Sequence, residues 1–132
     1  MIGLDTNLLV RLLVVDDPRQ ADVARKFLED NCMVEDPGFV NVIVLCELAW
    51  TLDRSYGFGS HDIANAIDAI LHNRILTVEN RAHVVSALQR FRIGGAEFSD
   101  MLIGEINRAH GCETTATFDR KAAKIDGFTL VH

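Results

Sequence analysis

The sequence predicts an α/β fold in which a mainly parallel sheet is flanked by helices. Three observations lead there. Short apolar or β-branched runs alternate with longer segments of helical period. The helical segments open on capping residues and close on glycines. At 132 residues the chain suits one domain, residues 1–132, with a core of its own. Strands and helices that alternate in so short a chain pair in parallel through helical crossovers.

Ile2–Asp5 is a short apolar run ending in the polar Asp5-Thr6-Asn7, a strand followed by a helix start. Thr6 is the expected cap of a helix over Asn7–Val14. Asp17-Pro18 opens a second helix to about Glu29, with Asp at the cap, Pro at the first turn and Gln20 behind it. Met33–Glu35 reads as a short strand closed by Pro37-Gly38. A helix over Asn41–Arg54 stops before Tyr56-Gly57-Phe58-Gly59. Ser60 opens the next, with Ile63, Ile67, Ile70 and Leu71 on one face. Ile75–Val78 reads as strand. Asn80 starts a helix that turns Val84, Val85, Leu88 and Phe91 inward and ends at Gly94-Gly95. Ser99 is the expected cap of a helix through Ala109, with Leu102, Ile103 and Ile106 inward and Gly111 as its stop. Thr114–Phe118 is β-branched strand, a short helix over Arg120–Ile125 follows Asp119, and Phe128–Val131 is the last strand.

Composition excludes several classes. Hydrophobic residues make up 48% and mean hydropathy is +0.13, which fits a globule and not a disordered tail. No apolar stretch is long enough to span a bilayer, and the N-terminus lacks the basic start of a signal peptide, so a cytoplasmic protein is expected. Cys32, Cys46 and Cys112 show no paired spacing and read as small buried hydrophobes. The five histidines are scattered, which argues against a histidine metal site. A net charge of −6 argues against broad nucleic-acid affinity from bulk charge alone, and suits a basic protein partner.

Four acids stand in or beside apolar runs, where the pattern predicts core: Asp5 in MIGLDTN, Glu47 in VIVLCELAW, Asp100 in FSDMLIGEI and Asp119 in TTATFD. Each has a bland explanation. Asp5 and Asp119 suit helix caps, Asp100 suits the positive end of a helix dipole, and Glu47 could lie at a stripe edge or pair with Arg54. Their conjunction points elsewhere. In this kind of fold ligands sit beyond the C-terminal ends of the strands, and Asp5 and Asp119 each follow a strand. Asp100, at a helix start, is expected on the same rim. Like charges about 4 Å apart repel by ~4 kcal/mol at an effective dielectric of 20, so clustered carboxylates call for a cation. An all-oxygen set suits Mg²⁺ or Mn²⁺, and phosphodiester hydrolysis is the leading use of such a site. Glu97 is a further candidate ligand, and Thr6, Asn7 and Thr117 are candidates to orient the acids. Arg11, Arg54, Arg92, Arg120 and Lys121 fall near the expected rim and are candidate phosphate contacts, although solvated charge is the commoner role. Phe58 could stack on a base or cover the core.

The DTN after the first strand, the ELAW helix, the FSDMLI helix start and the TFDRKAAK segment resemble PIN-domain ribonucleases, and more closely the VapC-type toxins of toxin–antitoxin pairs. The resemblance runs the length of the chain, in order. It implies a PIN-like α/β/α sandwich and a Mg²⁺- or Mn²⁺-dependent endoribonuclease with Asp5, Glu47, Asp100 and Asp119 as its acids. It also implies a homodimer and a cognate antitoxin whose basic tail lies across the acidic site. One departure stands out: family members often carry DFxD where this chain has Glu97-Phe98-Ser99-Asp100.

Other functions are weighed against this. A phosphatase of the haloacid-dehalogenase type wants a second Asp two positions after the first, where this chain has Asn7. A receiver domain wants an acidic pair near its first strand, which is absent. A non-catalytic binding protein on the same fold, its acidic pocket accepting a basic peptide, is the main alternative.

Overall fold

The computed structural model describes residues 1–132. The chain is mixed α/β and forms two compact units, Met1–Arg81 and Ala82–His132.

The first unit contains β1 (Ile2–Gly3), α1 (Thr6–Leu13), α2 (Pro18–Asn31), β2 (Gly38–Val40), α3 (Val42–Tyr56), α4 (Ser60–His72) and β3 (Leu76–Val78). Its strands form one parallel sheet in the order β1-β2-β3. Helix α1 packs on α2 and α3, and α3 packs on α4. The core holds Leu9, Leu45, Leu48, Leu52 and Ile67, each essentially sealed from solvent. Burying a side chain of this size stabilises by about 1.5–3 kcal/mol. All four apolar residues expected on α4 are buried.

Local chemistry accounts for most helix ends. Asp17 caps α2 by accepting from the N–H groups of Arg19 and Gln20, with Pro18 opening the helix as expected. Asn41 caps α3 through the Val44 N–H, and Glu79 from the end of β3 accepts the Val42 N–H at 3.0 Å. Helix α3 ends at Gly57, whose φ of +68° is the left-handed conformation a side chain disfavours. Arg81 donates to the Leu71 carbonyl at 2.6 Å near the end of α4.

Several expectations are corrected. Asp5, not Thr6, caps α1. A cap must take an extended backbone with its acceptor ahead of the first turn, and Asp5 does so at φ −87° and ψ 163°. Met33 and Asp36 form only an isolated bridge across a turn, whereas the strand is Gly38–Val40. There the sheet needs a residue without a side chain. A Cβ on Gly38 would lie 2.8 Å from Leu4 Cδ1 and 3.1 Å from Cys32 Sγ.

The second unit contains α5 (Arg81–Ile93, which begins at the boundary), α6 (Phe98–Ala109), β4 (Thr115–Thr117), a 3-10 turn (Ala122–Lys124) and β5 (Phe128–Leu130). Strands β4 and β5 pair in parallel. Phe91 of α5 and Phe98 of α6 meet edge to face at 6.0 Å. Arg90 ties three segments: it pairs with Glu105 at 3.2 Å and donates to the Asp126 carbonyl at 2.5 Å. Val84, Leu88 and Phe91 are buried as expected, and Val85 is half-buried.

Three expectations change here. Glu97, not Ser99, is the cap residue of α6, one turn before Asp100. Ile103 points to solvent and the inward positions are Phe98, Met101, Leu102 and Gly104, because α6 turns a different side to its neighbours. Gly104 is in close contact, since a Cβ there would lie 2.8 Å from the Phe128 ring. The helix expected over Arg120–Ile125 is the single 3-10 turn.

Candidate functional site

None of the four acids is buried. Asp5, Glu47 and Asp119 are exposed and Asp100 is half-buried; the core contains no polar or charged residue. The expectation that they sit inside the core is therefore corrected. The reason is clearest on α3. Its buried side carries Val44, Leu45, Leu48, Ala49 and Leu52, while Ile43, Glu47, Trp50 and Arg54 form the opposite, exposed stripe. Ile43 and Trp50 are apolar yet open to solvent, so a run that is apolar apart from Glu47 concealed the helix's outer face. Cys112 is likewise exposed, and only Cys32 is a buried thiol.

In the first unit, Asp5, Thr6, Asn7 and Glu47 line one open cleft together with Arg11 and Tyr56. Asp5 stands where the chain leaves β1, and its Oδ1 accepts the Thr6 N–H at 2.7 Å. Thr6 then reaches across to α3, its hydroxyl donating to Glu47 Oε1 at 3.1 Å. One threonine thus contacts both acids, through its backbone on one side and its side chain on the other. Thr51, one turn after Glu47, donates its hydroxyl back to the Glu47 carbonyl at 2.8 Å. Sequence reasoning did not single out Thr51 or Tyr56. The only available sign was position, one and about two turns beyond Glu47 on the same helix.

In the second unit, Asp119 leaves β4 in a tight turn. Its N–H donates to Thr117 Oγ1 at 3.0 Å, and its Oδ1 accepts from the N–H groups of Lys121 and Ala122. Thr117 therefore shapes the turn that presents Asp119. Asp100 lies in the first turn of α6. Burial pushes its carboxyl above the ordinary aspartate range, and the charges of Asp119 and Glu97 push the same way. A hydrogen bond from the Glu97 backbone N–H opposes the shift. The second unit thus gathers Glu97, Asp100 and Asp119 within electrostatic reach of one another.

Residues 2–128 match the family model for the PIN domain. The chain belongs to the PIN-domain family. It is 24% identical over 129 residues to a VapC ribonuclease of Aquifex aeolicus (strain VF5), a match covering 98% of this chain and 94% of that one.

The acids of this PIN-domain chain have the donor chemistry of a hard-cation site. Every candidate ligand is a carboxylate oxygen, and no histidine or cysteine lines the first unit's cleft. Within neither unit do three such side chains already close into a ligand group. The cations have mixed placements. Arg11 lines the cleft, Arg54 stacks over the Trp50 ring at 4.6 Å, and Arg92, Arg120 and Lys121 are exposed. Phe58 is half-buried beyond the Gly57 cap. No helix is long and apolar enough to cross a membrane.

Proposed function

We propose that this chain is a Mg²⁺- or Mn²⁺-dependent endoribonuclease and the toxin of a toxin–antitoxin pair. PIN-domain membership and the likeness to a VapC ribonuclease support the nuclease class. The observation that carries the reading is the cleft in the first unit. There two carboxylates distant in sequence, Asp5 and Glu47, are joined through Thr6. A cap needs one acid, and this arrangement has a second that no cap requires.

In this reading residues 1–132 act as one domain. Asp5, Glu47, Asp100 and Asp119 hold the metal, Glu97 assists, and Thr6, Asn7 and Thr117 orient the acids. When bound, such an ion supplies Lewis acidity toward a phosphoryl oxygen and lowers the pKa of an attacking water. The chain's own share is to hold carboxylates against their mutual repulsion and to fix their angles through threonine hydroxyls. Arg11, Arg54, Arg92, Arg120 and Lys121 are the candidate contacts to RNA phosphates. The partners are RNA, a cognate antitoxin with a basic inhibitory tail suited to the −6 chain, and a second copy in a homodimer. The place of action is the cytoplasm.

The test is cleavage of a mixed cellular RNA pool by folded, antitoxin-free protein with Mn²⁺, with Mg²⁺ and with EDTA, beside Asp5→Asn. Discrete fragments that need metal and vanish in the variant are expected. Intact RNA in every condition would favour the binding-only alternative.

A further inference from the structure

We propose that Arg11 and Tyr56 form a phosphate seat for the RNA strand: Arg11 binds a phosphodiester beside the acids, and Tyr56 is the positioning residue that aims its guanidinium. The proposal rests on the ribonuclease reading above and adds where that substrate's backbone is held.

Arg11 is the one cation among the side chains lining the cleft that holds Asp5 and Glu47. It lies on α1 one turn after Asn7, and the two share a helix face. An RNA phosphate entering this cleft meets two carboxylates of its own sign, so a cation in the same space offsets part of the repulsion. The other candidate cations do not line it; Arg54, for one, is engaged with Trp50 on the outer stripe of α3.

The geometry of Arg11 is that of a held donor. Its Nη1 donates to the Tyr56 hydroxyl oxygen at 3.4 Å. Tyr56 is the last residue of α3, and Gly57 immediately ends that helix, so the phenol comes from a fixed point. The phenol oxygen accepts this bond, which leaves its own O–H to donate. The guanidinium has further N–H donors in a planar fork. Arginine N–H and tyrosine O–H can thus serve one phosphate together. Asp16 offsets the charge only weakly: its Oδ1 is 4.0 Å from Nη1, and with the side chains 36% and 48% exposed, water screens the pair.

The experiment is fluorescence anisotropy of a labelled single-stranded RNA 20-mer of mixed sequence, with Ca²⁺ present, titrated at several salt concentrations. The proteins are the wild type, Arg11→Ala, Arg11→Lys, Tyr56→Phe and, as a control cation at the start of α2, Arg19→Ala. For single strands, the slope of log affinity against log salt changes by about 0.7 per phosphate contact. Arg11→Ala is expected to weaken binding roughly tenfold, as losing a hydrogen bond to a charged group does, and to flatten the slope by that amount. Arg11→Lys should keep the slope and recover part of the affinity. Tyr56→Phe should weaken binding about threefold, the scale of one neutral hydrogen bond, with the slope unchanged. Arg19→Ala should change neither. In cleavage assays on the RNA pool, KM should rise far more than kcat falls. An Arg11→Ala protein that is less heat-stable but keeps the wild-type slope and affinity would overturn the proposal and leave Arg11 as a tether between helices. That outcome leaves the nuclease reading untouched, whereas a wild-type protein that neither binds nor cleaves RNA sinks both.

Discussion

The two units present their carboxylates in opposite ways. In the first, Asp5 and Glu47 are exposed and joined by Thr6 across two helices. In the second, Asp119 is pinned in its own turn by backbone N–H groups, while Asp100 is half-buried and electrostatically crowded by Asp119 and Glu97. The first pair owes its arrangement to a long-range hydrogen bond, and the second set to local turns and burial. Acids of one chemical kind therefore carry different costs. Asp5 and Glu47 are well solvated, whereas a charged Asp100 works against folding.

The largest effect that tests this contrast is on activity. If both sets serve one metal-dependent reaction, Asp5→Asn and Asp100→Asn should each lower RNA cleavage by at least about a thousandfold, beyond the roughly 10- to 100-fold typical of a residue that only orients a ligand. Loss in one variant with activity kept in the other would break the symmetry and leave a single working set. Next come the orienting threonines. Thr6→Val should reduce cleavage within that roughly 10- to 100-fold range by releasing Glu47, and Thr117→Val should act similarly by loosening the Asp119 turn. Rates measured across metal concentrations will separate weaker metal affinity from slower turnover.

Smaller effects concern stability. Gly104→Ala inserts a methyl group 2.8 Å from the Phe128 ring, and overpacking of this kind costs ~1–3 kcal/mol, set against a helix-propensity gain of up to about 1 kcal/mol. A lower denaturation midpoint is expected, with the helix that carries Asp100 displaced. The smallest effect is the most telling about charge. Asp100 has its folded pKa raised above the ordinary value of 3.8, so it favours folding fully below that value and loses the contribution as pH rises through the folded pKa. In EDTA at neutral pH, Asp100→Asn should therefore raise Tm slightly, and the gain should shrink as pH falls through the folded pKa and be gone below about 3.8. Asp5→Asn keeps a good helix cap and should leave Tm nearly unchanged at neutral pH.

The contrast also marks what the sequence revealed. Helices with strong caps, such as Asp17-Pro18 for α2 and Asn41 for α3, lie close to their expected bounds because the capping chemistry is local. Strand β2 was not expected, since Gly38–Val40 is three residues long and its pairing depends on partners distant in the chain. The acids stood out as polar breaks in apolar runs, but the inference that they were buried failed. Ile43 and Trp50 are apolar residues on an exposed face, and periodicity cannot tell which side of α3 a neighbour covers. Thr6 was expected as a cap. Its bond to Glu47 crosses between two helices, which no local pattern encodes.

The start of α3 has a further consequence. A helix N-terminus ordinarily offers unpaired N–H groups and a positive dipole to any anion that passes. Here Glu79 and Asn41 accept two of those donors, from Val42 and Val44, Asp17 accepts two at the start of α2, and Asp5 accepts one at the start of α1. The chain thus partly fills three of its own anion receptors with its own side chains. At those three helix starts a free phosphate, sulfate or nucleic-acid backbone meets N–H groups that are partly engaged already, whereas α4 starts after Gly59 with no side-chain cap.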